Sequence, residues 1–209
     1  MADQINKWSA GAHYGPVLSQ TDLYLLNTEL ELHPIMAGKD GGFHLVFNII
    51  TGNTSGFNSN ARDRDLQFTA GDQPATLPRV SQLIIITEAS PWCTIVVNER
   101  GVTMNDVCDT LYKHYTEHYV TDAEFAALAP RLQEQVKRMA AHNAAATAAS
   151  AGGGWSGYYG TPAAAPARFK RSDWLRERTF FEGLRKSDGY AVSRLGFKAP
   201  NIFVMDLVA

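Results

Sequence analysis

His114-Tyr115-Thr116-Glu117-His118 is the stretch in which residue type and spacing together point to chemistry. On a helix, side chains four apart share a face, so both imidazoles can reach one Zn²⁺ while Glu117 acts as general base on a metal-bound water. A catalytic zinc also needs a third protein ligand, for which Glu177 or Glu182 can be put forward. The helical wheel points the other way. His118 falls near the apolar stripe of the surrounding segment and His114 at its edge, where interface histidines sit. The helical pattern also stops before Thr121, which leaves such a site without a long supporting helix. A zinc-dependent hydrolase is therefore an alternative reading. His114 and His118 are its metal candidates, and no catalytic residue and no cofactor are assigned.

A second constellation runs from Arg168 to Phe181 and interleaves basic with aromatic residues. Arg168, Lys170, Arg171, Arg176 and Arg178 can meet phosphates or other anions, and exposed aromatics beside them can stack on bases. Asp173, Glu177 and Glu182 interrupt the run, however, and read better as local ion-pair partners. Trp174, Leu175, Phe180 and Phe181 read as core. An anionic polymer is thus a second alternative partner, with nucleic acid disfavoured. Trp155, Tyr158 and Tyr159 form a third cluster within uncharged sequence, where they suit a short aromatic recognition or self-association element. There is no G-x-x-x-x-G-K-[ST] phosphate loop, no G-x-G-x-x-G fingerprint and no G-x-S-x-G nucleophile elbow.

The elements that must position these residues belong to a chain of 209 residues, with 19 Lys and Arg against 21 Asp and Glu. At 45% hydrophobic and 19% charged residues it has the makeup of an ordinary globular chain, which excludes collagen-like, coiled-coil and globally disordered classes. The net charge of -2 is a cancellation: residues 168–198 carry 9 basic against 4 acidic side chains, and residues 1–100 carry 6 against 10. Two cysteines, Cys93 and Cys108, in apolar surroundings read as buried thiols rather than a disulfide framework. Residues 1–12 have no apolar core of a secretory signal, and no stretch reaches the length of a membrane span. The expectation is an intracellular, cytoplasmic protein with no membrane partner.

Period-two alternation or β-rich composition marks strands at 29–32, 43–50, 81–87, 94–98 and 201–208, with Glu88-Ala89-Ser90-Pro91 as a hairpin-like turn. In the last strand, Ile202 and Val204 fall on one face and Phe203, Met205 and Leu207 on the other. Thr103 opens a helix as N-cap, with Asp106 in its first turn. Met104, Val107, Cys108, Leu111, Tyr112, Tyr115 and Tyr119 form its apolar stripe. Thr121 to Glu124 is a capping box opening a further helix with Phe125, Leu128, Leu132, Val136 and Met139 on one face. Pro130 must kink that helix or restart it. Residues 140–167 hold no Asp, Glu, Lys or Arg and include 12 Ala and 5 Gly. They read as a flexible insertion whose first ten residues can prolong the helix until Gly152-Gly153-Gly154 ends it. Residues 51–78 read as a long loop.

The expected class is α+β: a mainly antiparallel or mixed sheet with two or three helices on one face, plus a disordered Ala/Gly-rich insertion. The expected organisation is an N-terminal extension (1–20), a strand-rich part with two helices (21–139), the insertion (140–167) and the C-terminal part of the same domain (168–209). The strand–turn–strand–helix unit from Ile84 to Tyr119 is also how a ubiquitin-like β-grasp begins.

Several segments occur in a familiar order: Ala75-Thr76-Leu77-Pro78-Arg79-Val80, Ser81 to Ile86, Pro91 to Val97 and Gly101 to Val107. Downstream follow Arg171-Ser172-Asp173-Trp174-Leu175 and Thr179 to Leu184. This succession resembles an uncharacterised domain-of-unknown-function family from mushroom-forming (basidiomycete) fungi. The resemblance spans about Leu32 to Val208. It implies no activity and no catalytic residue, and marks the basic aromatic segment as a structural signature packed against the sheet. The leading expectation is a non-catalytic domain that binds a protein partner or assembles with itself.

Overall fold

The computed structural model describes residues 7–9, 15–39, 42–58, 65–151 and 168–209, the side chains of 146–151 aside. In chain order these form α1 (Gln20–Leu26), β1 (Glu31–Leu32), β2 (His44–Asn48), β3 (Thr54–Phe57), β4 (Thr76–Leu77), β5 (Gln82–Thr87) and β6 (Thr94–Val97). After these come α2 (Met104–Thr116), α3 (Asp122–Ala126), α4 (Pro130–Ala151), α5 (Arg171–Leu175), β7 (Phe180–Arg185), α6 (Asp188–Leu195) and β8 (Ile202–Val208). The class is α+β, as the patterning predicts.

Six strands make one mixed sheet in the order β3-β2-β7-β8-β5-β6, and β1 pairs with β4 in a separate two-stranded ladder. The β5–β8 pairing is parallel, and the other pairings in the large sheet are antiparallel. The hairpin-then-helix unit of the β-grasp analogy is present as β5, β6 and α2. Alternation along β8 separates two cores. Phe203 and Met205 join Leu83, Ile85, Val107 and Leu111 in the main cluster. Ile202 and Val204 join Ile84, Ile86 and Ala191 in a smaller cluster on the opposite face. Each fully buried side chain of this kind contributes about 1.5–3 kcal/mol of transfer free energy. A one-residue slip of β8 would exchange the two sets, so the pattern fixes its register.

The main face is covered by α2, whose Thr103 side chain accepts from the Asp106 N–H while the Asp106 carboxylate accepts from the Thr103 N–H. Thr121 and Glu124 close the same reciprocal box on α3. Pro130 restarts the helix: α3 ends at Ala126, and Pro130 is the first residue of α4, where its missing N–H costs nothing. α4 continues through 140–151, the Ala-rich stretch predicted to prolong it. There Ala140 is buried and the Asn143 amide donates to Asp173 Oδ1 at 2.8 Å.

Six elements escape the sequence patterning, with β4 in the expected 51–78 loop and α5 in the basic aromatic segment among them. β3 lies within the expected long loop and is built from Thr54-Ser55-Gly56-Phe57, too polar for a strand signal. β7 emerges from the basic aromatic segment, with Phe181 and Leu184 in the main core. Gly183 on β7 admits the backbone of Met36 to Gly38, and the Leu184 N–H donates to the Met36 carbonyl at 2.7 Å. α1 shows a single buried residue, Leu23. α6 covers the second face rather than the one beneath α2, so the helices are more numerous and more widely placed than expected. Tyr119 also departs from its predicted core position: it lies beyond the end of α2 and is exposed.

Candidate functional site

The His-x-x-Glu-His pattern straddles a helix end. α2 stops at Thr116, Glu117 is its C-cap, and His118 lies beyond it, exposed. A short antiparallel bridge between Tyr119 and Lys170 joins this end to the start of α5, with the Arg171 N–H donating to the His118 carbonyl at 3.0 Å. The bridge delivers the Arg171 guanidinium to His114, where its Nη1 donates to Nε2 at 2.7 Å. Arginine can only donate, so Nε2 is the acceptor and the ring proton sits on Nδ1.

The other side of the guanidinium lies over the Trp92 ring, 4.7 Å from its centroid. Trp92 meets Trp174 edge-on at 5.1 Å, and its indole N–H donates to Glu124 Oε1 at 2.7 Å. Beneath, the fully buried Tyr115 shares a 2.7 Å hydrogen bond with Ser90. The turn before β6, the end of α2, the start of α3 and α5 thus meet around one cation.

The electrostatics follow from this crowding. Burial, then the Arg171 charge, then His118 push the His114 imidazole down to about 4, so it is neutral near pH 7. Burial lifts the Tyr115 phenol to about 12 against the opposing hydrogen bond from Ser90. Burial works to raise the Glu124 carboxyl, but hydrogen bonds from the Thr121 backbone and the Trp92 indole outweigh it and hold the group below its ordinary range. Desolvation lowers Arg171. The rings of His114 and His118 do lie side by side, 5.4 Å between centroids. Among the described residues, however, no group of three His, Cys, Asp or Glu is placed to hold a metal ion. Arg171 takes the His114 nitrogen and sets a positive charge where a metal would bind. Burial also raises both thiols, Cys108 to about 12, so neither carries the thiolate that a nucleophile needs; Cys93 is half-buried rather than buried.

At the other end of α5 the chain makes a tight turn, Leu175-Arg176-Glu177-Arg178, closed by the Arg178 N–H on the Leu175 carbonyl at 3.1 Å. Arg176 has φ 59° and ψ -120°, the first central position of a type II′ turn, which ordinarily takes glycine. Its guanidinium donates to Gln135 Oε1 on α4 at 2.8 Å. A groove opens here. One hollow of about 330 Å³ lies between α4 and the turn, lined by Arg138, Met139, Arg176 and Arg178 among others. A second, of about 320 Å³, is lined by Pro91, Trp174, Tyr190 and Arg194. A narrow hollow at Leu128, Leu132 and Val136 lies between them, and Arg176 lines all three.

A protein family described as a family of unknown function, DUF6699, matches residues 46–191, well over half of the chain. The chain belongs to DUF6699. No curated protein and no solved structure matches it. The matched span of the DUF6699 domain includes every side chain around Arg171 and most of the groove, while Arg194 and β8 lie past its end.

Within this DUF6699 domain the five basic residues singled out in the sequence divide into two sets. Arg168 stacks on Tyr119 at 4.5 Å, Lys170 is the N-cap residue of α5, and Arg171 is clamped between Trp92 and His114. Arg176 and Arg178 line the groove. Glu177 lines it beside them, and Glu182 is exposed on β7. Trp155, Tyr158 and Tyr159 lie outside the described residues. Linear reading missed Arg138, Arg194, Trp92 and Gln135, which reach these places from other elements and carry no local motif. No helix among the described residues is long and apolar enough to cross a membrane.

Proposed function

We propose that this chain is a non-catalytic interaction domain of intracellular location, whose recognition surface is the groove around Arg176. The observation that supports this reading is the type II′ turn. An arginine occupies a backbone position that favours glycine, at a cost of about 1–3 kcal/mol, and its side chain lines each hollow of the groove. Strain retained where glycine would relieve it fits a side chain kept for contact with a partner. Of the groove walls, α5 and the β5–β6 turn are tied to the main core through Trp174, Leu175 and Ala89, and α4 is held to α5 by the Asn143–Asp173 hydrogen bond, which suits a preformed surface.

Selection of a random peptide display library on the purified chain tests the reading. The expected result is enrichment of peptides that compete with one another and lose binding to an Arg176→Asp variant. Absence of any enrichment over a blank surface would remove the support. Light scattering on the same preparation separates a distinct partner from a second copy of the chain.

A further inference from the structure

Charge singles out the groove. Arg138, Arg176, Arg178 and Arg194 line its hollows, and none of the four is in an ion pair among the described residues. Of the two acidic residues in the lining, Glu88 is already held by Arg185 at 2.9 Å, which leaves Glu177 alone against four guanidinium groups. Guanidinium forks match carboxylates two bonds at a time, and at a partly enclosed site such pairs gain from reduced solvation.

Beside the arginines the lining offers apolar side chains: Met139 and Leu175 in the first hollow, Leu132 and Trp174 in the others. Three adjoining hollows that share Arg176 and offer both cations and apolar residues suit an extended chain, whose side chains alternate in direction. A phosphodiester polymer suits it less. Glu177 sits among the cations, where it repels phosphates, and Trp174 is half-buried, which limits its use as a stacking platform.

We infer that the groove binds an extended acidic protein segment. Its carboxylates pair with Arg138, Arg176 and Arg178, and its apolar side chains settle on Met139 and Leu132. This inference rests on the interaction reading above and names the class of partner.

Fluorescence anisotropy with the full chain tests it, using a labelled peptide of alternating Glu and Leu as probe and the same peptide with Gln for Glu as the neutral control. The Glu/Leu peptide should bind about tenfold tighter than the Gln/Leu peptide, and the advantage should shrink with added salt. Charge reversal at two exposed positions, Arg138→Glu with Arg178→Glu, should weaken the Glu/Leu peptide by about tenfold or more. A charge-matched control away from the groove, Lys39→Glu with Lys113→Glu, should leave it unchanged. Equal binding of the two peptides would overturn the acidic partner and leave the interaction reading standing. Binding of neither peptide would overturn the acidic partner, and the library selection then decides the interaction reading separately. A single-stranded oligothymidylate that binds more tightly than the Glu/Leu peptide and is lost in the groove variant would overturn it in favour of nucleic acid.

Discussion

Arg171 and Arg176 stand at the two ends of one short helix and have opposite fates. The first is consumed by the fold: a tryptophan face lies on one side, a neutral histidine accepts from it, and its buried Nε has no hydrogen-bond partner among the described residues. The second is held by one glutamine, in a backbone conformation that costs energy, and lines an open groove. Each residue belongs to the same basic run, so charge density along a chain says little about which cations are available. What decides it is the element that each meets, α2 for Arg171 and α4 for Arg176.

The comparison can be broken most forcefully at Trp92. Trp92→Ala removes the ring beneath Arg171 and the donor to Glu124, and should cost about 3–5 kcal/mol in urea denaturation. A loss below about 1 kcal/mol, the level of a surface change, would show that the cluster does not hold the fold. Arg171→Ala should follow, at about 1–3 kcal/mol, since it forfeits the ring contact and leaves the His114 acceptor unpaired.

A smaller effect appears in the pH dependence. The His114 value in the folded chain, about 4, lies below the ordinary 6.5, so between those values the unfolded chain binds the extra proton. The stabilisation is complete above pH 6.5 and is lost as pH falls toward 4. Allowing for solvent screening of a half-buried ring, the loss amounts to about 1–2 kcal/mol. Urea midpoints measured across this window should flatten in His114→Gln, and an unaltered slope would refute the assignment. The smallest effect belongs to the groove: Arg178→Ala should shift stability by less than about 0.5 kcal/mol, as expected for an exposed side chain without an ion pair.

Much of the scaffold was legible because its signals are local. The two faces of β8, the caps at Thr103 and Thr121 and the restart at Pro130 each follow from a few neighbouring residues. β3 and α1 were not, since Thr54-Ser55-Gly56-Phe57 lacks strand-forming apolar residues and α1 buries Leu23 alone. Half of the site was hidden for a different reason. Arg176 and Arg178 were visible as basic residues, but the arginines that complete the groove come from α4 and α6, distant in sequence, and a positive φ at an arginine leaves no mark in composition. The His114–His118 spacing carried the opposite lesson. The pattern is present, yet α2 ends inside it and an arginine claims the nitrogen.

Arg176→Gly tests the central contrast most directly, with stability and peptide binding measured on the same protein. Glycine relieves the turn and forfeits one half-buried hydrogen bond, so the urea midpoint should hold or rise, by up to about 1 kcal/mol, while affinity for the Glu/Leu peptide falls about tenfold. A variant that loses stability and keeps its affinity would contradict the account, and would place Arg176 with Arg171 among the residues that hold the fold.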